Sequence, residues 1–327
     1  MIDRRAVLAG GGAFAIELAV PSALDARRAD GFPAPDVEKM VPVEGGRVYV
    51  RVNGNLRGAR PPIVLLHGGP GGDHKHFMPA LALSNDRAVI LYDQLDSGQS
   101  DRPNDPRNWR VERFVDEPER IRRSLGIEHW YMLGHSWGGT VALEYGAQRP
   151  AALRGLALAS PLISTRSWIA DANVLRRQLR PEVQADIARC DVGPSIACTN
   201  GTTAFYRAFN GREPATRAAA SYASAHPNGF NPKIYNAMWG ASEFVATGSL
   251  KDYDGEALLA KLDGARTLFL GGQYDEARPS TLSAFAARVP GAEFATIPGA
   301  AHGIFSDRPF ETLALVRGWL ARQDAFP

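Results

Sequence analysis

Cysteine is nearly absent from this chain: there are two in 327 residues, Cys190 and Cys198. With no histidine near them they do not make a zinc site. They pair in an oxidising compartment and stay thiols in a reducing one, so their spacing leaves both states open. Long apolar runs are missing too. No stretch approaches the ~18 consecutive apolar residues of a membrane helix, which excludes a stable membrane anchor of that kind. An excess of either charge is missing as well: 37 Lys and Arg against 35 Asp and Glu leave a net charge of only +2. No dense Lys/Arg block interleaves with aromatics, so nucleic acid is not an expected partner. No internal repeat or low-complexity tract breaks the chain.

What is present is an ordinary soluble composition, 45% hydrophobic and 22% charged, with ample material for a core. The length suits two average domains or one large α/β domain with an insertion. Residues 1–26, "MIDRRAVLAGGGAFAIELAVPSALDA", stand apart from the rest. Arg4-Arg5, a Gly/Ala-rich apolar segment and small residues at Ala23 and Ala26 follow the order of a cleavable export signal of twin-arginine type. Glu17 inside the apolar segment works against it. The expected location is periplasmic or secreted, the alternative a cytoplasmic protein with an N-terminal extension.

"VPVEGGRVYVRV" alternates around Gly45-Gly46 and predicts a β-hairpin turning there. "PPIVLLHGGPGG" and "RAVILYDQ" each contain a short β-branched run of the length of a buried strand. "VERFVDEPERIRRSLG" has helical spacing, with Pro118 predicting a late start or a kink. Strand, helix and strand follow in "HWYMLGH", "GGTVALEYGAQRP" and "LRGLALAS", and the alternation resumes with "ARTLFLGG", "STLSAFAARV", "AEFATIP" and "PFETLALVRGWLAR". Strands alternating with helices predict a mostly parallel sheet covered on both faces. Between Pro161 and Lys251 the rhythm stops, which predicts a helical insertion, the cap, over residues 161–251. Residues 41–160 and 252–327 then form the core.

A hydroxyl attacks an acyl carbon at neutral pH only with a base in reach, a group orienting that base, and donors for the oxyanion. On a parallel sheet these groups belong in loops at the carboxyl ends of strands. Past "HWYMLGH" stands Ser136, within the G-x-S-x-G pattern Gly134-His135-Ser136-Trp137-Gly138. Asp275 follows "ARTLFLGGQY" and His302 follows "AEFATIPGAA". The order Ser, Asp, His is that of α/β-hydrolases. The glycine amides of "HGGPGG", with that of Trp137, suit an oxyanion hole. His67, His74 and His76 invite a metal reading, but a glycine-rich oxyanion loop explains their segment more simply, and no cofactor or metal is expected.

Together, "HGGPGG", "YDQLDSGQSDRP", "GHSWGGTVALEYGAQRP" and "GGQYDEARP" resemble the prolyl aminopeptidases (proline iminopeptidases) of the α/β-hydrolase fold, from about Val41 to the C-terminus. "RSWIADANVLRRQL" and "AMWGASEFVATGSLKDYD" look most similar to the L-amino acid amidases of that family, which include L-proline amide hydrolases. The resemblance implies release of an N-terminal residue, or of ammonia from an amino acid amide, without a cofactor. It implies Ser136, Asp275 and His302 as triad, Gly69 and Trp137 as oxyanion donors, and Glu243 and Glu276 as ligands of the substrate amine. A small peptide or amino acid amide is the expected substrate, and Phe205, Tyr206 and Trp239 are candidates for its side-chain pocket or for plain core. Two positions depart from the pattern: Asp96, where relatives commonly have glycine, and Pro118. An esterase or lactonase on the same machinery would not need the glutamates. A non-catalytic binding protein is the remaining alternative.

Overall fold

The short β-branched runs become the middle of one eight-stranded sheet. The computed structural model describes residues 31–193 and 195–326, so the export signal expected over residues 1–26 lies outside the described residues. The strands are β1 (Val37–Val43), β2 (Gly46–Asn53), β3 (Ile63–Leu66), β4 (Val89–Tyr92), β5 (Trp130–His135), β6 (Leu153–Ala159), β7 (Thr267–Gly272) and β8 (Glu293–Ile297). Their spatial order is β1-β2-β4-β3-β5-β6-β7-β8. The pairings of β2 with β1 and with β4 are antiparallel, and all others are parallel.

Burial on both faces explains why the central strands read as continuous apolar runs. Val64 and Leu66 of β3 point into the core that holds Trp137 and Phe114, while Ile63 and Leu65 point into the core that holds Phe77 and Trp319. Each such side chain contributes about 1.5–3 kcal/mol by leaving water.

The first hairpin turns one residue earlier than expected. Val43 pairs with Gly46, which leaves Glu44 and Gly45 in the turn. Gly45 takes the positive φ of 88° that the turn requires. Gly46 is instead a ladder residue, whose hypothetical Cβ would lie 2.9 Å from Leu95.

The helices are α1 (Val111–Ser124), α2 (Trp137–Ala147), α3 (Thr165–Arg176), α4 (Pro181–Ala188), α5 (Ile196–Phe209), α6 (Arg217–Ala225), α7 (Pro232–Met238), α8 (Pro279–Ala287), α9 (Ile304–Asp307) and α10 (Pro309–Asp324). The late start expected for α1 does not occur, since it runs through Pro118 from Val111. The missing amide bond is offset by packing: Pro118 is buried, and Arg113 pairs with buried Glu117 one turn along. Glu117 also accepts from the Leu95 amide at 3.0 Å, tying α1 to the loop after β4.

Asp96 in that loop has φ 65°, a conformation that favours glycine. Its carboxylate holds it there, accepting from Trp109 Nε1 at 2.8 Å and from the Asn104 amide at 2.7 Å.

Helices α3 to α7 lie between β6 and β7 and add no strand to the sheet. They carry a small core of their own, with Leu175, Ile187, Phe205, Phe209 and Phe244 packed together. Cys190 and Cys198 are joined by a disulfide that ties the end of α4 to the start of α5.

Candidate active site

Ser136 sits between β5 and α2 with φ 57° and ψ −122°. A non-glycine residue in such a conformation costs about 1–3 kcal/mol and persists only where its surroundings impose it. The glycines on either side are what impose it. A Cβ on Gly134 would lie 2.2 Å from the Gly138 carbonyl oxygen, and one on Gly138 would lie 2.1 Å from that of Leu66. With strand and helix this close, the serine is pushed to the tip of the turn. Its amide donates to the Ala159 carbonyl at 3.1 Å, and its own carbonyl accepts from Leu162 at 3.1 Å.

The loops after β7 and β8 meet beside it. His302 Nδ1 lies 2.8 Å from Asp275 Oδ1. Asp275 is nearly inaccessible, at 1% exposure. Its other oxygen accepts from Ser160 Oγ at 2.5 Å and from the Gly272 amide at 3.0 Å, and the Ala277 amide donates to Oδ1 at 2.9 Å. A carboxylate held in place by so many donors fixes the imidazole with Nδ1 turned toward it. Behind His302, the imidazole of His135 reaches the His302 carbonyl through Nε2 at 2.8 Å. Burial and the neighbouring His302 push the His135 pKa well down, so it is neutral and donates that bond.

Ser136 and His302 line one cavity of about 590 Å³, together with Gly68, Gly69, His76, Tyr206, Asn210, Phe230, Tyr235, Glu243 and Glu276. Among the described residues Ser136 makes no hydrogen bond with His302. The imidazole Nε2 instead stands 3.7 Å from Glu276 Oε1. Gly69 has φ 119°, and a Cβ there would meet the amide nitrogens of Gly72 and Gly71 at 2.6 and 2.7 Å. Side chains are thereby kept off the loop facing Ser136. Trp137 itself is packed away, its indole donating to Gln94 at 2.8 Å, while its backbone opens α2.

The two glutamates meet over the same cavity. Glu243 accepts from Trp168 Nε1 at 2.9 Å, Tyr206 OH at 3.1 Å and Tyr235 OH at 2.5 Å. Burial, then Glu243, raises both phenol pKa values well above normal, so both tyrosines remain donors. Glu276 Oε1 accepts from Asn210 Nδ2 at 2.6 Å, while its Oε2 is buried with no partner. Burial first, and the repulsion of Glu243 second, raise the Glu276 pKa to about 8. Burial opposes the charged form of His302, but Asp275, Glu276 and Glu243 together outweigh it and bring that pKa to about 9. Such an arrangement attracts a cation that can share its carboxylates.

Of the pocket candidates, Tyr206 lines the cavity. Phe205 belongs to the small core of the inserted helices, and Trp239 packs edge-on against Trp168. Trp168, Tyr235, Asn210 and His135 were not singled out from the sequence as site residues. The three histidines that invited a metal reading have separate partners: His67 accepts from the Gln94 amide, His74 pairs with Asp93 and Tyr222, and His76 stacks on His135. Among the described residues no cluster of His, Cys, Asp or Glu is placed to hold a metal ion. A second cavity, of about 250 Å³, is lined by Gly146, Arg149 and Leu153 and lies at the entry to β6, away from the strand ends that carry this chemistry.

Comparison with known proteins agrees with the geometry. Residues 61–309 match the family described as the alpha/beta hydrolase fold. A proline iminopeptidase of Heyndrickxia coagulans is 35% identical over 295 residues, which cover 86% of this chain and 98% of that protein. The chain belongs to the proline iminopeptidase family of α/β-hydrolases. It is a hydrolase of aminopeptidase type. The solved proline iminopeptidase of Mycobacterium smegmatis superposes with a TM-score of 0.78 at 30% identity, over 88% of this chain and 99% of that one. The structure of VinJ superposes with a TM-score of 0.80, also at 30% identity, over 89% of this chain and all of the other.

Proposed function

We propose that this family member removes a free N-terminal residue, proline in the first instance, from a small peptide or amino acid amide through an acyl-enzyme. The observation that carries this reading is the pair Glu243 and Glu276, facing the cavity of Ser136 and His302. Burying a carboxylate is costly unless a cation or strong donors compensate it. A substrate α-ammonium satisfies the unpartnered oxygen of Glu276 and places the adjoining carbonyl near Ser136.

In the reaction, Ser136 Oγ bonds to that carbonyl carbon while its proton passes to His302 Nε2. Asp275 holds the imidazole through Nδ1 and stabilises its charged form. The amides of Gly69 and Trp137 receive the oxyanion. The C–N bond then breaks as His302 returns the proton to the leaving amine or ammonia. Water, deprotonated by the same imidazole, releases the acid.

The test is a panel of free and N-acetylated amino acid p-nitroanilides and amides, with Ser136→Ala as the control. Strong preference for the free amine is expected. Equal rates on free and acetylated forms would refute the reading and favour an esterase or lactonase. Amides against dipeptides then separate amidase from peptidase. We also propose export through the N-terminal twin-arginine pattern. The Cys190–Cys198 disulfide supports it, and sequencing the N-terminus of the native protein tests it, an intact Met1 being the result that refutes it.

A further inference from the structure

His302 Nε2 is the atom that must take the serine proton, yet its nearest acidic neighbour is Glu276 Oε1, at 3.7 Å, and it makes no bond to Ser136. Glu276 is held in that position. Its amide donates to the Phe209 carbonyl at 3.1 Å, the same carbonyl accepts from the His302 amide at 3.1 Å, and Asn210 Nδ2 grips Oε1 at 2.6 Å. Its second oxygen is buried and unpartnered. Above the Glu276 pKa of about 8 that acceptor is a buried carboxylate, and among the described residues the cation beside it is the imidazolium of His302.

We propose that Glu276 is a latch on the base: in the empty enzyme its carboxylate engages His302 Nε2, and a substrate ammonium seated between Glu276 and Glu243 takes over that carboxylate and frees the imidazole. The proposal rests on the amine-binding role given to the two glutamates above. The proton leaves Nε2 for bulk water, and the substrate amine stays an ammonium. The imidazole then turns to Ser136 as a neutral acceptor. The remaining groups around His302 do not release it. Asp275 bonds Nδ1 in both states, His135 and His76 are held neutral by burial, and Trp168 packs its ring edge-on at 5.6 Å. Glu243 is the other carboxylate that feels the ammonium, and its neutralisation acts in the same direction. The enzyme thus selects free amines in kcat as well as in KM, because a blocked substrate binds without releasing the base.

The experiment compares L-proline p-nitroanilide with p-nitrophenyl acetate, which has no amine, from about pH 5 to about pH 10 in wild type and Glu276→Gln. In wild type, ester hydrolysis rises with an apparent pKa near about 9. The anilide's kcat is expected to rise at least about one unit lower. In Glu276→Gln the ester profile moves down by about one unit and its rate between about pH 8 and about pH 9, where Glu276 is ionised and His302 still protonated, increases up to tenfold, while the anilide reaction falls. Wild-type profiles that coincide for the two substrates overturn the proposal, as does an ester profile unmoved by the variant. Failure of the substrate reading looks different: it appears as equal rates on free and acetylated anilides, whereas the latch is read from the ester in both proteins. Should Glu276→Gln not fold, L-prolinamide binding to Ser136→Ala, followed by calorimetry in two buffers of different ionisation enthalpy near pH 7.5, decides. Release of up to one proton that disappears in Ser136→Ala/His302→Gln supports the latch; no release, or release that persists without the imidazole and so comes from the Glu276 carboxyl, refutes it.

Discussion

Replacing Glu243 with glutamine separates recognition of charge from the shape of the pocket. The carboxylate has three donors, Trp168 Nε1 at 2.9 Å, Tyr206 OH at 3.1 Å and Tyr235 OH at 2.5 Å. The phenols share Oε1 and the indole takes Oε2. A glutamine can keep its oxygen on the tyrosines, but its NH2 group then faces the indole N–H, donor against donor. Glu243→Gln therefore loses one hydrogen bond and one negative charge with almost no change in volume.

Removing one partner of a fully buried ion pair costs about 3–5 kcal/mol. Here Glu276 still faces the ammonium, so the loss is expected at about 2–3 kcal/mol, or roughly 30- to 150-fold in kcat/KM for L-proline p-nitroanilide. Hydrolysis of p-nitrophenyl acetate by the same preparation should change by no more than about threefold, because the ester has no ammonium to bind. Thermal melting of both proteins checks the fold. Equal losses on anilide and ester would refute the reasoning, since they would make Glu243 a scaffold residue that supports Ser136 and His302 rather than a ligand of the substrate.

Two further substitutions test how the site is held. Asp96→Gly relieves a positive φ worth about 1 kcal/mol but removes two bonds to a charged acceptor worth about 1.5–3 kcal/mol each, so a Tm lower by several degrees is expected, and an unchanged or higher Tm would show the carboxylate unnecessary. Ser160→Ala removes the short bond to Asp275 while leaving the amides of Gly272 and Ala277 in place; kcat should fall about three- to tenfold at constant KM, and a rise in KM alone would contradict that reading.

The core was open to reading from the chain because its signals are local. Runs such as "IVLL" and "VILY" are apolar on both faces only because β3 and β4 lie between two layers, and Ser136, Asp275 and His302 each follow such a run closely enough to be found by looking past its end. The turn between β1 and β2 was misplaced by one position because two adjacent glycines give the same local signal. Only the structure tells that Gly45 needs its φ and Gly46 its missing side chain. The inserted helices behave differently. Phe205 and Tyr206 are neighbours on α5, and which of them faces the cavity depends on how α5 lies on Phe244 and Ile187. No periodicity within the helix contains that information. Trp168 and Tyr235 were missed for the same reason: they reach Glu243 from α3 and α7, elements far apart in the chain that meet only in the folded insertion.

That folded insertion does more than cover the site. The last carbonyls of a helix have no partners within it and must find donors elsewhere. At the end of α5 the Phe209 carbonyl takes the amides of both Glu276 and His302, and the Asn210 carbonyl takes that of Gly303 at 2.7 Å. The helix end and the two loops that follow β7 and β8 therefore satisfy one another, and each is incomplete alone. A displacement of α5 moves Tyr206, which touches Glu243, together with the backbone that carries Glu276 and His302. Glu276, proposed to bind the amine, and His302, proposed to move the proton, are thus fixed to one short piece of backbone. On the proposed mechanism, that linkage lets binding at the glutamates be felt at the imidazole without a long-range change in the fold.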